Sequence, residues 1–330
     1  MRIFRSIHHP ERAPACALTI GNFDGVHLGH QAMLAQMVAM ARERGLAACV
    51  LTFEPHPRDY FAKVRQQPDV APARIATLRD KLAQLEACGI SQCVVMPFNA
   101  ALSSLSPLDF VHQVLLNGLY ARSVWVGDDF RYGAQRAGDH DTLLRSGHAL
   151  GFEVVRMDSY ELMHGPSQKR LRVSSSAVRH ALAQGDMRQA AVLLGRAYAV
   201  SGHVVHGRKL GRELQCPTLN LRFGHAKPAA SGIFVAMVHG LDAQPLPGVA
   251  NFGVRPSLDA NDVNQGQVLL ETHCLDWPSH LGPEGGYGKL VRVELLHKLH
   301  DELKYDSLQA LNQGIERDCE EARAWLASRI

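Results

Sequence analysis

Residues 20–31 read IGNFDGVHLGHQ. Residues 15–21 (ACALTIG) have the unbroken apolar run of a buried strand, and residues 29–44 have the spacing of a helix. The chain therefore passes from strand to glycine turn to helix within a few residues. A helix N-terminus offers unbonded N–H groups and the positive end of a dipole, so it attracts anions. Gly25 and Gly29 let the backbone come close to a phosphate. His27 and His30 bracket Leu28 and Gly29 as an HxGH tetrapeptide, and their imidazoles are able to donate hydrogen bonds to phosphate oxygens.

Working outward, strand and helix patterns alternate. Residues 46–53, 92–96, 123–127 and 152–157 are expected strands. Residues 78–88, 106–118 and 140–150 are expected helices, the first and last followed by Gly89 and Gly151 as C-terminal caps. Short apolar strands separated by helices predict a parallel sheet covered on both faces. The pattern changes near residue 185. Residues 174–183 and 186–194 are expected as two short helices. After Tyr198 come six β-like runs, at 199–206, 218–221, 233–239, 248–252, 268–273 and 290–296, separated by Gly, Pro and Asn. These predict a small antiparallel barrel. Leu308, Leu311, Ile315, Cys319, Ala322 and Leu326 step by three or four, giving a final helix with one apolar face.

Composition bounds the function classes. The chain has 330 residues, about two domains' worth. With 46% hydrophobic and 20% charged residues it can bury a full core, which excludes disorder as its main state. A net charge of +3 and 6% aromatic residues give no basic, aromatic surface for nucleic acid. Seven cysteines with no CxxC pair argue against a disulfide framework or a structural zinc site. Residues 1–14 lack the apolar core of a signal peptide, and no run reaches the roughly 20 apolar residues of a membrane helix. A cytoplasmic location without a membrane partner is expected.

Three more segments carry chemistry. Residues 52–57 (TFEPHP) and 127–133 (GDDFRYG) fall at carboxyl ends of expected strands, where open α/β sheets place ligands. Residues 169–179 (KRLRVSSSAVR) combine basic residues with serines placed to cap a helix start. The HxGH turn with this segment resembles the HxGH nucleotidyltransferase superfamily, and the resemblance implies that the segment holds the outer phosphates. GNFDGVHLGH, TFEPHP, GDDFRYG and RVSSSAVR in this order resemble the bacterial bifunctional riboflavin kinase/FMN adenylyltransferase family, also called FAD synthetase. The resemblance implies a Rossmann-like HxGH nucleotidyltransferase domain over residues 1–185. A six-stranded antiparallel β-barrel with a C-terminal helix, the riboflavin kinase, would follow over 186–330. It implies ATP contacts from Gly21, Phe23, Asp24, Gly29, Ser174, Ser175 and Arg179. It also implies catalytic roles for His27 and His30, and flavin contacts from Asp129, Phe130 and Arg131.

The second half meets the same resemblance. Pro217, Thr218, Leu219 and Asn220 stand for the family's Pro-Thr-Ala-Asn motif, with Leu219 replacing Ala and Gln215-Cys216 replacing Gly-Phe. On the resemblance Thr218 and Asn220 hold Mg²⁺ and ATP phosphates, in keeping with the preference of a hard cation for oxygen. Residues 248–259 (GVANFGVRPSLD) follow, bringing Arg255 as a flavin contact. Residues 270–277 (LETHCLDW) place Glu271 at the family's catalytic acid, as base for the riboflavin hydroxyl. His300 stands where Arg is usual, and the loop 278–286 is longer than usual. The implied partners are the small molecules riboflavin, FMN and ATP, with FAD as product. Two alternatives are an adenylyltransferase for nicotinate or pantetheine precursors, which PTLN and Glu271 disfavour, and an RNA-binding barrel, which the charge disfavours.

Overall fold

The computed structural model describes residues 1–164, 169–206, 218–225, 227–254, 268–282 and 284–329. Arg255, Pro217, Gln215 and Cys216 lie outside the described residues. Contacts divide the chain into two compact units. One is Met1–Pro72 with Lys81–Ser174, the other Ala73–Asp80 with Ser175–Ile330.

The first unit is built on a six-stranded parallel sheet. Its strands are β1 (Arg2–Phe4), β2 (Cys16–Ile20), β3 (Ala47–Glu54), β4 (Gln92–Pro97), β5 (Ala121–Gly127) and β6 (Glu153–Met157), in the order β1-β4-β3-β2-β5-β6. All five pairings are parallel. Every residue of β2 is buried, as a run with apolar neighbours on both faces requires. Five of the strands follow the sequence pattern. β1 is an edge strand of three residues, too short to show a period. The helices are α1 (Leu28–Glu43), α2 (Pro57–Val64), α3 (Leu78–Ala87) and α4 (His140–Leu150). The expected helix at 106–118 is instead one short turn, Pro107–Asp109, running into a π-helix at Phe110–Leu116. Its Phe110, Val111, Val114 and Leu115 are all buried, so widening the helix serves packing. A polar hairpin, β7 (Glu161–His164) with β8 (Lys169–Arg172), completes the unit. The strand order reverses at β2: β3 lies on one side of it and β5 on the other. That switch point opens a crevice at the carboxyl ends of these three strands.

In the second unit α5 (Ser175–Ala183) packs on α6 (Met187–Leu194) ahead of the barrel. The strands are β9 (Tyr198–His203), β10 (Thr218–Arg222), β11 (Gly232–His239), β12 (Leu246–Val254), β13 (Val268–Cys274) and β14 (Leu290–His300), in the order β10-β13-β12-β11-β14-β9 and all antiparallel. The amide of Val205, just past β9, bonds the carbonyl of Asn220 on β10 at 2.9 Å and brings the two edges together. Inside lie Leu221, Phe234, Ala250, Phe252, Leu270 and Val293, each fully shielded from water. α7 (Leu308–Ala327) packs on β11, β12 and β14. Its buried line runs through Gly314, Asp318 and Ala322, while Leu308 is 67% exposed. The expected apolar stripe faces the barrel from Leu311 onward, with Leu311, Ile315, Cys319 and Leu326 part-buried and Ala322 buried, and it is widened where Asp318 turns inward to meet His300 at 2.9 Å.

Residues 73–80 are the one excursion. Arg74 pairs with the 227–229 segment through Arg74 N to the Lys227 carbonyl (2.8 Å) and Ala229 N to the Arg74 carbonyl (2.9 Å). Arg179 Nε donates to the Ala73 carbonyl at 2.7 Å, and Ser201 N to Asp80 Oδ2 at 3.1 Å.

Candidate active sites

In the first unit the HxGH turn leaves β2 and enters α1 with His27 as the N-cap. Its Nδ1 accepts from the His30 amide at 3.3 Å. In a neutral imidazole this puts the proton on Nε2. The His27 and His30 rings stack at 3.7 Å between centroids and 17° between planes, and Phe23 lies 4.9 Å from His30. Phe23 (φ 49°), Gly25 (φ 85°) and Val26 (φ 41°) all take the left-handed conformation, so three of four consecutive residues coil tightly. Asp24 and Phe23 are buried at 1% and 2% exposure, and His27 at 7%. Gly21 faces the Phe23 ring, where a Cβ would stand 3.0 Å away, and a Cβ on Gly29 would meet the His27 ring at 3.3 Å.

The neighbouring strand ends complete the crevice. Thr52, on β3, donates to the Asn22 carbonyl at 3.4 Å, and Lys81 Nζ reaches Thr52 Oγ1 at 3.4 Å. Beyond the strand, His56 is buried and caps α2 by accepting from Arg58 N at 3.1 Å. After β5, Asp128 and Asp129 are exposed, and Phe130 is half-buried, stacked on Tyr132 at 5.5 Å. Burial, with the charge of Asp139, pushes the Tyr132 phenol up to about 12. Arg131 is held by Asp139 at 3.0 Å. Bonds from Thr142 and that guanidinium bring the Asp139 carboxyl down to about 2. Ser174 closes this unit, whereas Ser175 and Arg179 belong to the second.

In the second unit, strand register brings Asn220 on β10 opposite Glu271 on β13, and Glu271 in turn opposite Asn251 on β12. Thr218 pairs with His273 two residues along. Asn220 is 4% exposed, and its Nδ2 is directed at Thr218, 3.2 Å from the carbonyl oxygen and 3.5 Å from Oγ1. Thr218, Asn220 and Glu271 therefore share one patch of the barrel wall. It is the face opposite the one carrying Leu219, Leu221, Leu270 and Thr272 to the interior.

Comparison with known proteins separates the same halves. A family model described as FAD synthetase matches residues 9–176, and one described as riboflavin kinase matches residues 194–326. The bifunctional riboflavin kinase/FMN adenylyltransferase of Pseudomonas fluorescens is 40% identical over 329 residues, 99% of this chain and 98% of that protein. The protein of the same description from Escherichia coli (strain K12) is 38% identical over 320 residues, 96% of each chain. The chain belongs to the bifunctional riboflavin kinase/FMN adenylyltransferase family. A crystal structure described as a macrolide-efflux protein from Streptococcus pneumoniae shares the fold, with a TM-score of 0.71 at 23% identity over 98% of each chain.

Within this riboflavin kinase/FMN adenylyltransferase chain, sequence reading passed over two residues that the structure brings to the sites. Lys81 is 1% exposed at the Thr52 strand end. Its signal was present: a lysine lies on the packed face of α3 with Leu78, Leu82 and Leu85, where the helical period calls for an apolar residue. Asn251 lies within the GVAN stretch, but nothing in the sequence tells which residue of another strand it faces.

Proposed function

We propose that the first unit adenylylates FMN and the second phosphorylates riboflavin, both from ATP, in successive steps. The register of Glu271 between Asn220 and Asn251, with Thr218 alongside, carries the kinase half of this reading. In that step the riboflavin 5′-hydroxyl attacks the γ-phosphate of ATP and Glu271 accepts the hydroxyl proton, giving FMN and ADP. General-base help of this kind is worth about 10²–10⁴-fold. Thr218 Oγ1 and Asn220 Oδ1 suit Mg²⁺: both are neutral oxygens, and Asn220 Oδ1 is shielded from solvent with no hydrogen-bond partner among the described residues. When bound there, the ion supplies positive charge against the phosphate oxygens.

In the second step the FMN phosphate attacks the α-phosphate of another ATP, and pyrophosphate leaves. The attacking oxygen is already ionised, so no base is needed, and positioning and charge stabilisation carry the reaction. The α1 N-terminus, the His27 Nε2–H and the His30 ring supply donors for the phosphates. Gly21, Phe23, Asp24 and Gly29 shape the turn around ATP, and Asp129, Phe130 and Arg131 line the flavin side. Cys16, Cys49, Cys93 and Cys274 are buried thiols. For Cys93 and Cys274 burial pushes the thiol up to about 12, which leaves them unreactive.

Glu271→Gln tests the assignment. It keeps the shape of the side chain and cannot take a proton. At saturating riboflavin, kinase turnover falls by about 10²–10⁴-fold, while adenylylation of added FMN stays at the wild-type rate. Unchanged kinase turnover removes Glu271 as the base.

A further inference from the structure

The wall that carries Glu271 has a second amide that the proposed chemistry leaves without a role. Asn251 faces Glu271 from β12 as Asn220 faces it from β10, so the three side chains form one row across adjacent strands. Directly opposed residues hold their Cβ atoms about 4.5–5.5 Å apart. Both amides therefore flank the same carboxylate at close range. Asn251 Oδ1, like Asn220 Oδ1, is shielded from solvent and has no hydrogen-bond partner among the described residues. A shielded carbonyl oxygen with no donor is a standing penalty. Two of them on either side of one carboxylate indicate that their partners arrive with the substrates.

The two sides of the row differ in chemistry. On the Asn220 side Thr218 adds a hydroxyl, and Asn220 turns its Nδ2 towards it, leaving oxygens for a cation and phosphates. On the Asn251 side the next position in register is Ile233, and the one after it is His300, already engaged by Asp318 at 2.9 Å. Ile233 offers nothing to a cation or a phosphate, and the Glu302 carboxylate, packed against Gly253 two residues along β12, repels phosphate. What suits a neutral amide oxygen there is a neutral donor, an alcohol O–H. Resting on the kinase reading above, the order along the row is then phosphate side, base, alcohol side.

We infer that Asn251 is a specificity-determining residue for the alcohol substrate: its Oδ1 accepts a hydrogen bond from the ribityl hydroxyl adjacent to the one that Glu271 deprotonates. Adjacent hydroxyls of a polyol chain lie close enough for two side chains one strand apart to hold one each. The pair fixes which oxygen of the chain meets the phosphate.

The test uses the full chain with riboflavin and with its 4′-deoxy analogue, which retains the 5′-hydroxyl. Wild type phosphorylates the analogue with kcat/KM about 10–100-fold lower, the effect of leaving one shielded neutral acceptor without its donor. In Asn251→Ala the KM for riboflavin rises by a similar factor. The KM for ATP and the rate of FMN adenylylation do not change, and the penalty for the analogue disappears. A merely structural role would lower all substrates together and leave the ratio between the two flavins intact. If Asn251→Ala does not fold, Asn251→Ser and the wild-type ratio decide. Equal kcat/KM for the two flavins in wild type overturns the inference, as does an undiminished analogue penalty in the folded variant. Failure of the base assignment is read separately, in the turnover of Glu271→Gln at saturating riboflavin.

Discussion

His27 serves two ends of one ring. Nδ1 caps α1 by accepting from the His30 amide, and in the proposed adenylylation the opposite edge of the imidazole offers its proton to phosphate. Replacing it by alanine would mix the two losses, since an N-cap is itself worth about 0.5–2 kcal/mol. His27→Asn separates them, because asparagine is a good N-cap and has no imidazole. We expect the variant to keep its melting temperature within a few degrees and to lose about 10²–10³-fold in FAD formation, the effect of removing one donor to developing charge. FMN then accumulates from riboflavin. Assaying both flavins by their fluorescence checks this, and undiminished FAD synthesis would remove the ring from the chemistry. This residue was legible in the sequence, because strand, glycine turn and helix follow each other without a break and the histidines sit at their joint. Asn251 was not: its significance depends on strand pairing across residues 220, 251 and 271, and register is a long-range property that a local pattern does not contain.

At the scale of elements, α7 is tied to the barrel by a polar contact beside its apolar stripe. His300, the last residue of β14, bonds the Asp301 carbonyl through Nδ1 at 2.6 Å and Asp318 on α7 through Nε2 at 2.9 Å. Burial lowers the imidazole pKa and Arg317 opposes its charge. The bond from Asp318, the Asp301 carbonyl and the Asp318 charge together outweigh them, so the pKa lies above its ordinary 6.5. A raised folded-state value means that the pairing stabilises fully below pH 6.5 and is lost as pH climbs through the folded pKa. The melting temperature of wild type should therefore exceed that of His300→Gln most at pH 6, with the gap closing by pH 8.5. A gap that stays constant with pH would show that the imidazole charge plays no part. The apolar period in 308–326 announced the helix and its packed face but not the aspartate beside it, since hydrophobic counting gives an aspartate no reason to turn inward. The π-helix at Phe110–Leu116 escaped for a related reason: an extra residue per turn shifts the packing without altering which residues are apolar. The polar hairpin β7–β8 offered no apolar period at all.

For the whole molecule, the division into two units is not a single cut. Residues 73–80 leave the first unit and join the second through four hydrogen bonds, from Arg74 N, Ala229 N, Arg179 Nε and Ser201 N. At about 0.5–1.5 kcal/mol each, these are worth roughly 2–6 kcal/mol. A fragment beginning at Ser175 should melt well below the same fragment with residues 73–80 fused ahead of it through a flexible linker. The expected gap is about 5–20 °C, from roughly 2–4 °C per kcal/mol in a domain of this size. Equal melting temperatures would show that the segment adds nothing to the second unit. The change to β runs after Tyr198 was visible in the sequence, but the start of the second unit at Ser175, ahead of two helices, and the eight-residue detour leave no such mark. The detour has a consequence for synthesis. Residues 73–80 emerge from the ribosome roughly 150 residues ahead of Lys227, a delay of about 8–30 s at 5–20 residues per second. Throughout that interval the first unit must close its sheet around a helix-to-helix link whose bonding partners have yet to be translated. A gene divided between the two halves would leave the segment permanently in the wrong product, so the two enzymes are joined by their folding as well as by their peptide bond.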